Sequence, residues 1–177
     1  MLITGRRSLT TVLRLILDLV LVLNLLTLIF LPFILDALYR DPGILQQLDS
    51  SPALWPDEAG LRSDYPSDLP PGSRPFYLVF LYASGLGTVW ILAEGHFILR
   101  RLEKNQPFAQ QQVGSFRRVS LAFAWLTLVF AVKIVFYNTL LTMFCCGLFF
   151  VLALIGLVLS EVFLNAWQVK TENELTV

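Results

Sequence analysis

The ionisable residues that lie inside long apolar runs are the first candidates for chemistry in this chain of 177 residues. Asp18, Glu94 and Glu161 each interrupt such a run, and Arg14 and His96 lie close to two of them in sequence. Charged groups are costly in apolar surroundings, so they pair with one another or serve a proton or ion pathway. These residues therefore predict a polar network that fixes helix packing, a proton or cation site, or a charged socket for a cytoplasmic partner.

The position of the carboxylates within their runs favours the network. Asp18 lies early in its run, whereas Glu94 and Glu161 lie late in theirs. In helices that alternate in direction, all three are expected near one membrane boundary, whereas transport sites lie near the midplane. Arg14 precedes Asp18 by about one helical turn, so the two can pair. We expect a network of Arg14, Asp18, Glu94, His96 and Glu161.

The pattern favours neither metal binding nor catalysis. Glu94 and His96 would point about 200° apart on a helix, and the chain holds one His. Cys145 and Cys146 are adjacent in an apolar run, where packing is their expected role. No nucleophile stands beside a base and an orienting acid, and no Gly-rich phosphate loop follows a strand. We therefore expect no enzymatic activity, no metal and no cofactor.

The composition predicts that lipid is the solvent of this chain. Hydrophobic residues make up 56% and charged residues 15% of the sequence, against about 45–50% and about 25% in soluble proteins. The net charge is zero, so no global field attracts nucleic acid, and direct binding to it is not expected. The lipid bilayer is the expected partner of the apolar runs.

The apolar runs predict an all-α fold, an integral membrane four-helix bundle that forms a single domain. About 20 apolar residues cross the hydrocarbon core as one helix. The run from 119 to 164 is too long to cross once, so we expect a turn at Tyr137–Thr139, where Asn138 tolerates turn geometry. The spans are predicted at about 12–38, 76–100, 116–137 and 140–165.

The charges of the connecting segments predict the orientation. Arg and Lys are concentrated in the N-terminal segment and around the loop 101–115, whereas the loop 39–75 is acidic and rich in Pro. Basic loops remain on the cytoplasmic side. Both termini are therefore predicted in the cytoplasm, and the Pro-rich loop is predicted outside it.

Two stretches of the sequence carry a resemblance to a known family. The first is Asn105-Gln106-Pro107-Phe108 followed by Phe116-Arg117-Arg118, and the second runs from Ser160-Glu161-Val162-Phe163 to the tail Glu172-Asn173-Glu174-Leu175-Thr176-Val177. Together they resemble the bacterial membrane family catalogued as domain of unknown function 2975. The resemblance implies four spans, and some members are encoded beside a small helix-turn-helix regulator. No activity is established for the family, so the resemblance implies no catalytic residue.

We interpret the chain as a non-enzymatic protein of the bacterial inner membrane. Its cytoplasmic face is expected to contact a partner such as a helix-turn-helix regulator. The predicted contact residues are Asn105, Pro107, Phe108, Arg117, Arg118, Asn173, Leu175 and Thr176. The alternative is a small transporter or channel that uses the boundary carboxylates, and it would be a homodimer because four helices enclose little space.

Overall fold

The computed structural model describes residues 9–40, 72–104, 110–137 and 139–175, and the side chains of those between 10 and 172. These ranges contain no strand and form four helices: α1 (Leu9–Arg40), α2 (Arg74–Glu103), α3 (Gln110–Phe136) and α4 (Leu140–Leu175). All four are long and apolar enough to span a membrane. The prediction of an all-α chain with four such helices is confirmed.

Lipid accounts for both the helical backbone and the apolar surface. A peptide group in hydrocarbon finds no water, so each spanning segment satisfies its own amides and carbonyls as a helix. Large apolar side chains remain exposed along α1, including Leu15 at 67% and Phe33 at 71%. In water such a surface would promote association, whereas against acyl chains it is the ordinary outer face of a membrane helix.

Residues 137–139, where the long apolar run is predicted to turn, separate α3 from α4. Thr139 precedes the first residue of α4, and its Oγ1 accepts a hydrogen bond of 3.3 Å from the amide of Thr142. Its carbonyl accepts a further bond of 3.1 Å from the amide of Met143. A hydroxyl in this position satisfies one of the amides that the start of a helix leaves without a partner.

The chain divides into two compact units, a smaller one of Ile29–Leu81 and a larger one of Met1–Leu28 with Tyr82–Val177. In the smaller unit, polar contacts join the end of α1 to the start of α2. Asp36 forms an ion pair with Arg74, and Tyr39 Oη and Ser73 Oγ share a hydrogen bond of 2.7 Å. Most of the predicted Pro-rich loop, residues 41–71, lies outside the described residues.

In the larger unit, α3 and α4 pack as an antiparallel pair along a surface that we call the heptad seam. Along each helix, seam positions alternate between three and four residues apart. This spacing is typical of helices that pack at a small crossing angle. The seam consists of Val113, Phe116, Ser120, Phe123, Thr127 and Phe130 on α3, and of Thr142, Cys146, Phe149, Ala153, Gly156, Ser160 and Phe163 on α4.

Small polar side chains of the seam donate hydrogen bonds to backbone carbonyls of the facing helix. The bonds are 3.4, 2.5 and 3.6 Å long and run from Ser160 to Val113, from Ser120 to Ala153 and from Cys146 to Thr127. Successive bonds are seven residues apart on both helices. Because lipid provides no hydrophobic force between helices, small residues and such bonds are the usual means of association in a membrane.

Aromatic rings fill the seam between these bonds. Phe116 stacks on Phe163 with ring centroids 4.7 Å apart. Phe149 lies between Phe123 and Phe130, at centroid distances of 6.2 and 5.1 Å. Offset and edge-on ring pairs of this kind are favourable beyond the area that they bury. Large rings and small polar residues therefore alternate along the same surface.

Glycines allow close approach of helices on both sides of α3. A Cβ atom at Gly156 would lie 3.0 Å from Ser120 Cβ and 3.3 Å from Ser120 Cα, which is backbone. A Cβ at Gly87 of α2 would lie 2.7 Å from Leu126 of α3. Next to that contact, Trp125 Nε1 donates a bond of 3.1 Å to the carbonyl of Ala83. Helix α3 is thus held between α2 and α4.

Replacement of Gly156 by Leu should destabilise the larger unit, because the new side chain meets Ser120 of α3. We expect a loss of about 1–3 kcal/mol in the free energy of unfolding, as for other overpacked sites. Equilibrium unfolding of the full chain in mixed micelles measures it. Gly147→Leu is the matched control, because a Cβ there meets nothing within 4 Å. Equal losses in the free energy of unfolding for both variants would contradict the close contact of Gly156 with Ser120.

Candidate functional site

One end of the larger unit contains the start of α1, the end of α2 and the start of α3. We call it the polar end. Contacts between α1 and α2 run from Leu28 with Gly85 to Arg14 with Glu103, so these helices are antiparallel. Antiparallel packing brings the charged residues of several helices to one level, although they are far apart in sequence. The polar end is therefore the part of the described chain in which a functional site is most evident.

One ion pair and one hydrogen bond between a histidine and a carboxylate join α1 to α2 at the polar end. Arg14 bonds to Glu103, whose side chain is 16% exposed. His96 Nδ1 lies 2.5 Å from Asp18 Oδ1, and both of these side chains are partly exposed. Each pair places a carboxylate of one helix against a nitrogen donor of the other. The amino-terminal half of α1 is thus fixed to α2 through polar contacts as well as packing.

A carboxylate and a guanidinium connect α2 to α3. Glu94 is buried, with 7% of its surface exposed. Arg118 donates two hydrogen bonds to it, from Nε to Oε1 at 2.5 Å and from Nη2 to Oε2 at 3.1 Å. A two-pronged bond of this kind is the strongest arrangement for an Arg and a carboxylate. Without it, the buried charge of Glu94 would be highly unfavourable.

Arg101 of α2 bonds to α3 through neutral acceptors. Its Nη1 donates to Ser115 Oγ at 2.6 Å, to the Gln111 carbonyl at 3.2 Å and to Gln112 Oε1 at 3.4 Å. Ser115 Oγ also accepts a bond of 3.2 Å from Arg118 Nη2. Within the described chain, Arg101 forms no ion pair with a carboxylate. Ser115 therefore links two guanidinium groups, of which one is balanced by Glu94.

The structure brings together most residues of the predicted polar network, but in different pairs. Arg14 and Asp18 were expected to pair along α1, yet Arg14 bonds to Glu103 and Asp18 bonds to His96. Pairing across helices satisfies both groups and also fixes the packing, which pairing along one helix does not. Glu161 is exposed on α4 and forms no ion pair with the described residues.

The predicted partner-contact residues are only partly described. Arg117 is exposed and Arg118 bonds to Glu94. Asn105, Pro107, Phe108 and Thr176 lie outside the described residues, and the side chains of Asn173 and Leu175 are not described either. Their contact with a partner stays a prediction.

Sequence reasoning missed Arg101, Glu103, Gln112 and Ser115. The loop was predicted at 101–115, whereas α2 continues to Glu103 and α3 begins at Gln110. Hydropathy finds where a helix leaves hydrocarbon, but not where the helix itself ends. One signal was available: Gly87, Glu94 and Arg101 are seven residues apart, which places them on one face of α2. That face contacts α3.

Polar residues elsewhere in the spans have more local roles. Near the turn between α3 and α4, Lys133 Nζ donates a bond of 2.9 Å to Thr142 Oγ1. On α1, Asn24 Oδ1 is buried without a hydrogen-bond partner. Neither residue contributes to the polar end.

The carboxylates that join the helices at the polar end are all bonded within the protein. Asp18, Glu94 and Glu103 each bond to a nitrogen donor on another helix. Among the described residues, no group of three or more His, Cys, Asp or Glu side chains could hold a metal ion. The evident physical effect of these bonds is to hold α1, α2 and α3 at a common level, with the guanidinium of Arg101 left unbalanced.

Comparison with known proteins gives one match. A family model with the description "Protein of unknown function (DUF2975)" matches residues 42–177. The match covers α2, α3 and α4 and includes every residue of the polar end except those of α1. No curated protein and no solved structure matches the chain. The family description assigns no activity.

Arg118→Gln should destabilise the protein because it leaves the buried carboxylate of Glu94 without its cation. We expect a loss of about 1–3 kcal/mol in the free energy of unfolding, measured by equilibrium unfolding in mixed micelles. The neighbouring variant Arg117→Gln removes an exposed charge and should cost less than about 0.5 kcal/mol. Adding Glu94→Gln to Arg118→Gln should restore part of the loss. Equal costs for both Arg variants would contradict the assigned pairing.

Proposed function

We propose that this chain, which belongs to the DUF2975 family, is a non-enzymatic multi-pass protein of the bacterial inner membrane. Its polar end would face the cytoplasm and contact a cytoplasmic protein such as a helix-turn-helix regulator. Four helices able to span a membrane support the location. The role of the polar end is supported by its charges and by the length of α4.

The distribution of unpaired cations supports a cytoplasmic polar end. Arg100, Lys104 and Arg117 are exposed and form no ion pair with described residues. Cations in short loops and near helix ends are retained on the cytoplasmic side. Since the paired charges cancel, these three and Arg101 outnumber the unpaired carboxylate of Glu161 and make this end positive. An even number of spans then places both termini on the same side.

The extension of α4 beyond the described ends of the other helices is the observation that carries the proposed contact. Ser160 lies beside Val113, only three residues from the start of α3 at Gln110. Helix α4 continues to Leu175, which is about 22 Å further along its axis. Gln168, Val169 and Lys170 are exposed on this part. A polar helix that projects past its neighbours offers a surface for a protein partner.

The ion pairs support a structural rather than catalytic role for the carboxylates. Arg118 holds Glu94 through both of its oxygens, and Arg14 bonds to Glu103. A carboxylate whose oxygens are bonded to an arginine of a neighbouring helix is not free to contact a substrate. The polar end would then act as a rigid support from which α4 extends.

One observation favours the rival function of a homodimeric transporter or channel. Asp18 and His96 are both titratable and both partly exposed, with side-chain exposures of 44% and 29%. The pair is therefore accessible from outside the described helices. Measuring flux through proteoliposomes distinguishes the two functions. If the chain is a transporter or channel, Asp18→Asn, Glu94→Gln and Glu161→Gln should stop the flux. If our proposal holds, the unaltered chain shows no flux.

A photo-crosslinking residue at Val169 should capture a cytoplasmic protein in living cells, because this part of α4 projects from the polar end. Leu141, at the opposite end of α4, is the matched control, since both side chains are 57% exposed. Changing Asn173, Leu175 and Thr176 to Ala should abolish the Val169 adduct. Mass spectrometry of the adduct identifies the partner. Identical adducts from both positions, or an adduct that survives the triple change, would contradict the proposed contact.

A further inference from the structure

Hydrogen-bond donors exceed acceptors where Arg101 meets α3. Every bond that Arg101 makes to described residues uses Nη1, so Nη2 and Nε have no acceptor there. Gln112 is fully buried at 0% exposure, and its Nε2 has no hydrogen-bond partner. Buried polar groups are nearly always satisfied, so an unsatisfied amide calls for an explanation.

The orphaned amide and the unused guanidinium donors lie beside each other. Gln112 Oε1 is 3.4 Å from Arg101 Nη1, and Nε2 belongs to the same planar amide. The orientation of this amide is set by that bond, because a rotated amide would place Nε2 against the guanidinium. The missing partner is therefore an acceptor and not a donor.

The charge at this position is also unbalanced. Arg101 and Arg118 share Ser115 as an acceptor, and Glu94 balances one of the two guanidinium groups. The remaining positive charge belongs to Arg101. The positive end of the α3 dipole lies on the same side. A group of hydrogen-bond donors that carries a net positive charge is suited to bind an anion with more than one oxygen.

We propose that Arg101 and Gln112, together with Ser115, form a binding site for a phosphate group. A phosphate offers several strong acceptor oxygens, and guanidinium groups bind it through two parallel hydrogen bonds. Gln112 Nε2 is covered, so its side chain must rotate when a phosphate oxygen replaces its missing partner. This site is independent of the proposed protein contact on α4.

The surroundings identify the anionic phospholipid headgroup as the source of that phosphate. Arg101 lies near the end of an apolar helix that is long enough to span a membrane. Phe97, one turn before it, is 46% exposed, and Leu121 on α3 is 57% exposed. Apolar side chains suited to acyl chains thus give way to cations within about two turns, as at a headgroup boundary. Arg100 and Lys104 add exposed positive charge at the same level.

Native mass spectrometry of the full chain, with phosphatidylglycerol as the anionic probe and phosphatidylcholine as the zwitterionic one, tests the site. We expect Arg101→Gln and Gln112→Leu each to weaken phosphatidylglycerol binding by about tenfold, the loss of one charge-assisted bond. Arg100→Gln and Arg117→Gln remove the same charge without touching the site and should weaken it less than about threefold. Phosphatidylcholine should bind weakly to every variant.

The melting temperature separates a binding role of Gln112 from a structural one. Because Gln112→Leu removes a buried donor without a partner, it should keep or raise the melting temperature while it weakens lipid binding. Gln112→Met serves as a second variant if the Leu variant does not fold. A lower melting temperature with unchanged lipid binding would show a purely structural residue and overturn the proposal.

Inorganic phosphate distinguishes the two sources of the ligand. In the lipid account, millimolar phosphate neither displaces phosphatidylglycerol nor raises the melting temperature. If phosphate does both, and only in chains that retain Arg101 and Gln112, the phosphate site stands but its ligand is soluble. Equal losses of phosphatidylglycerol for the site variants and for Arg100→Gln and Arg117→Gln would overturn the site altogether.

Discussion

Lipid offers polar groups no partner, so each polar group at membrane depth must be satisfied by the protein itself. This constraint explains why the described chain is helical and why its helices meet where they do. Glu94 would be prohibitively unfavourable as an isolated charge, and its two bonds from Arg118 fix how α2 and α3 face each other. The need to satisfy this carboxylate acts together with the close contact of Gly87 with Leu126 to set the packing of these helices.

Two different kinds of contact hold the larger unit together. At the polar end, ion pairs join α1 to α2 and α2 to α3. Along the heptad seam, α3 and α4 instead use small residues, such as Ser120 against Gly156, and bonds to backbone carbonyls. Near the membrane boundary a charged side chain keeps part of its hydration, so ion pairs are tolerated there. Deeper in the membrane a charge would be costly, and small residues make the contacts instead.

The number and type of the helices were predictable from sequence because apolar runs of sufficient length have few alternatives in lipid. The pairing of charges was not, because it depends on which helix faces lie together. Arg14 and Asp18 illustrate the difficulty, since each has a plausible partner one turn away and bonds elsewhere. The Phe residues at 116, 123 and 130 are seven apart, and this heptad spacing indicates the seam, which the length of an apolar run does not.

Spin labels on the outer face of α2 test most directly whether lipid surrounds these helices and ends at the polar end. Leu86, Trp90 and Phe97 are exposed on that helix, and Lys104 is exposed directly after its last residue. A chain with Cys145 and Cys146 replaced by Ala carries one label at a time in liposomes. Collisions with oxygen should dominate at Leu86 and Trp90, and collisions with a water-soluble nickel complex should rise at Phe97 and be greatest at Lys104. Equal access of the nickel complex to all four positions would contradict the account.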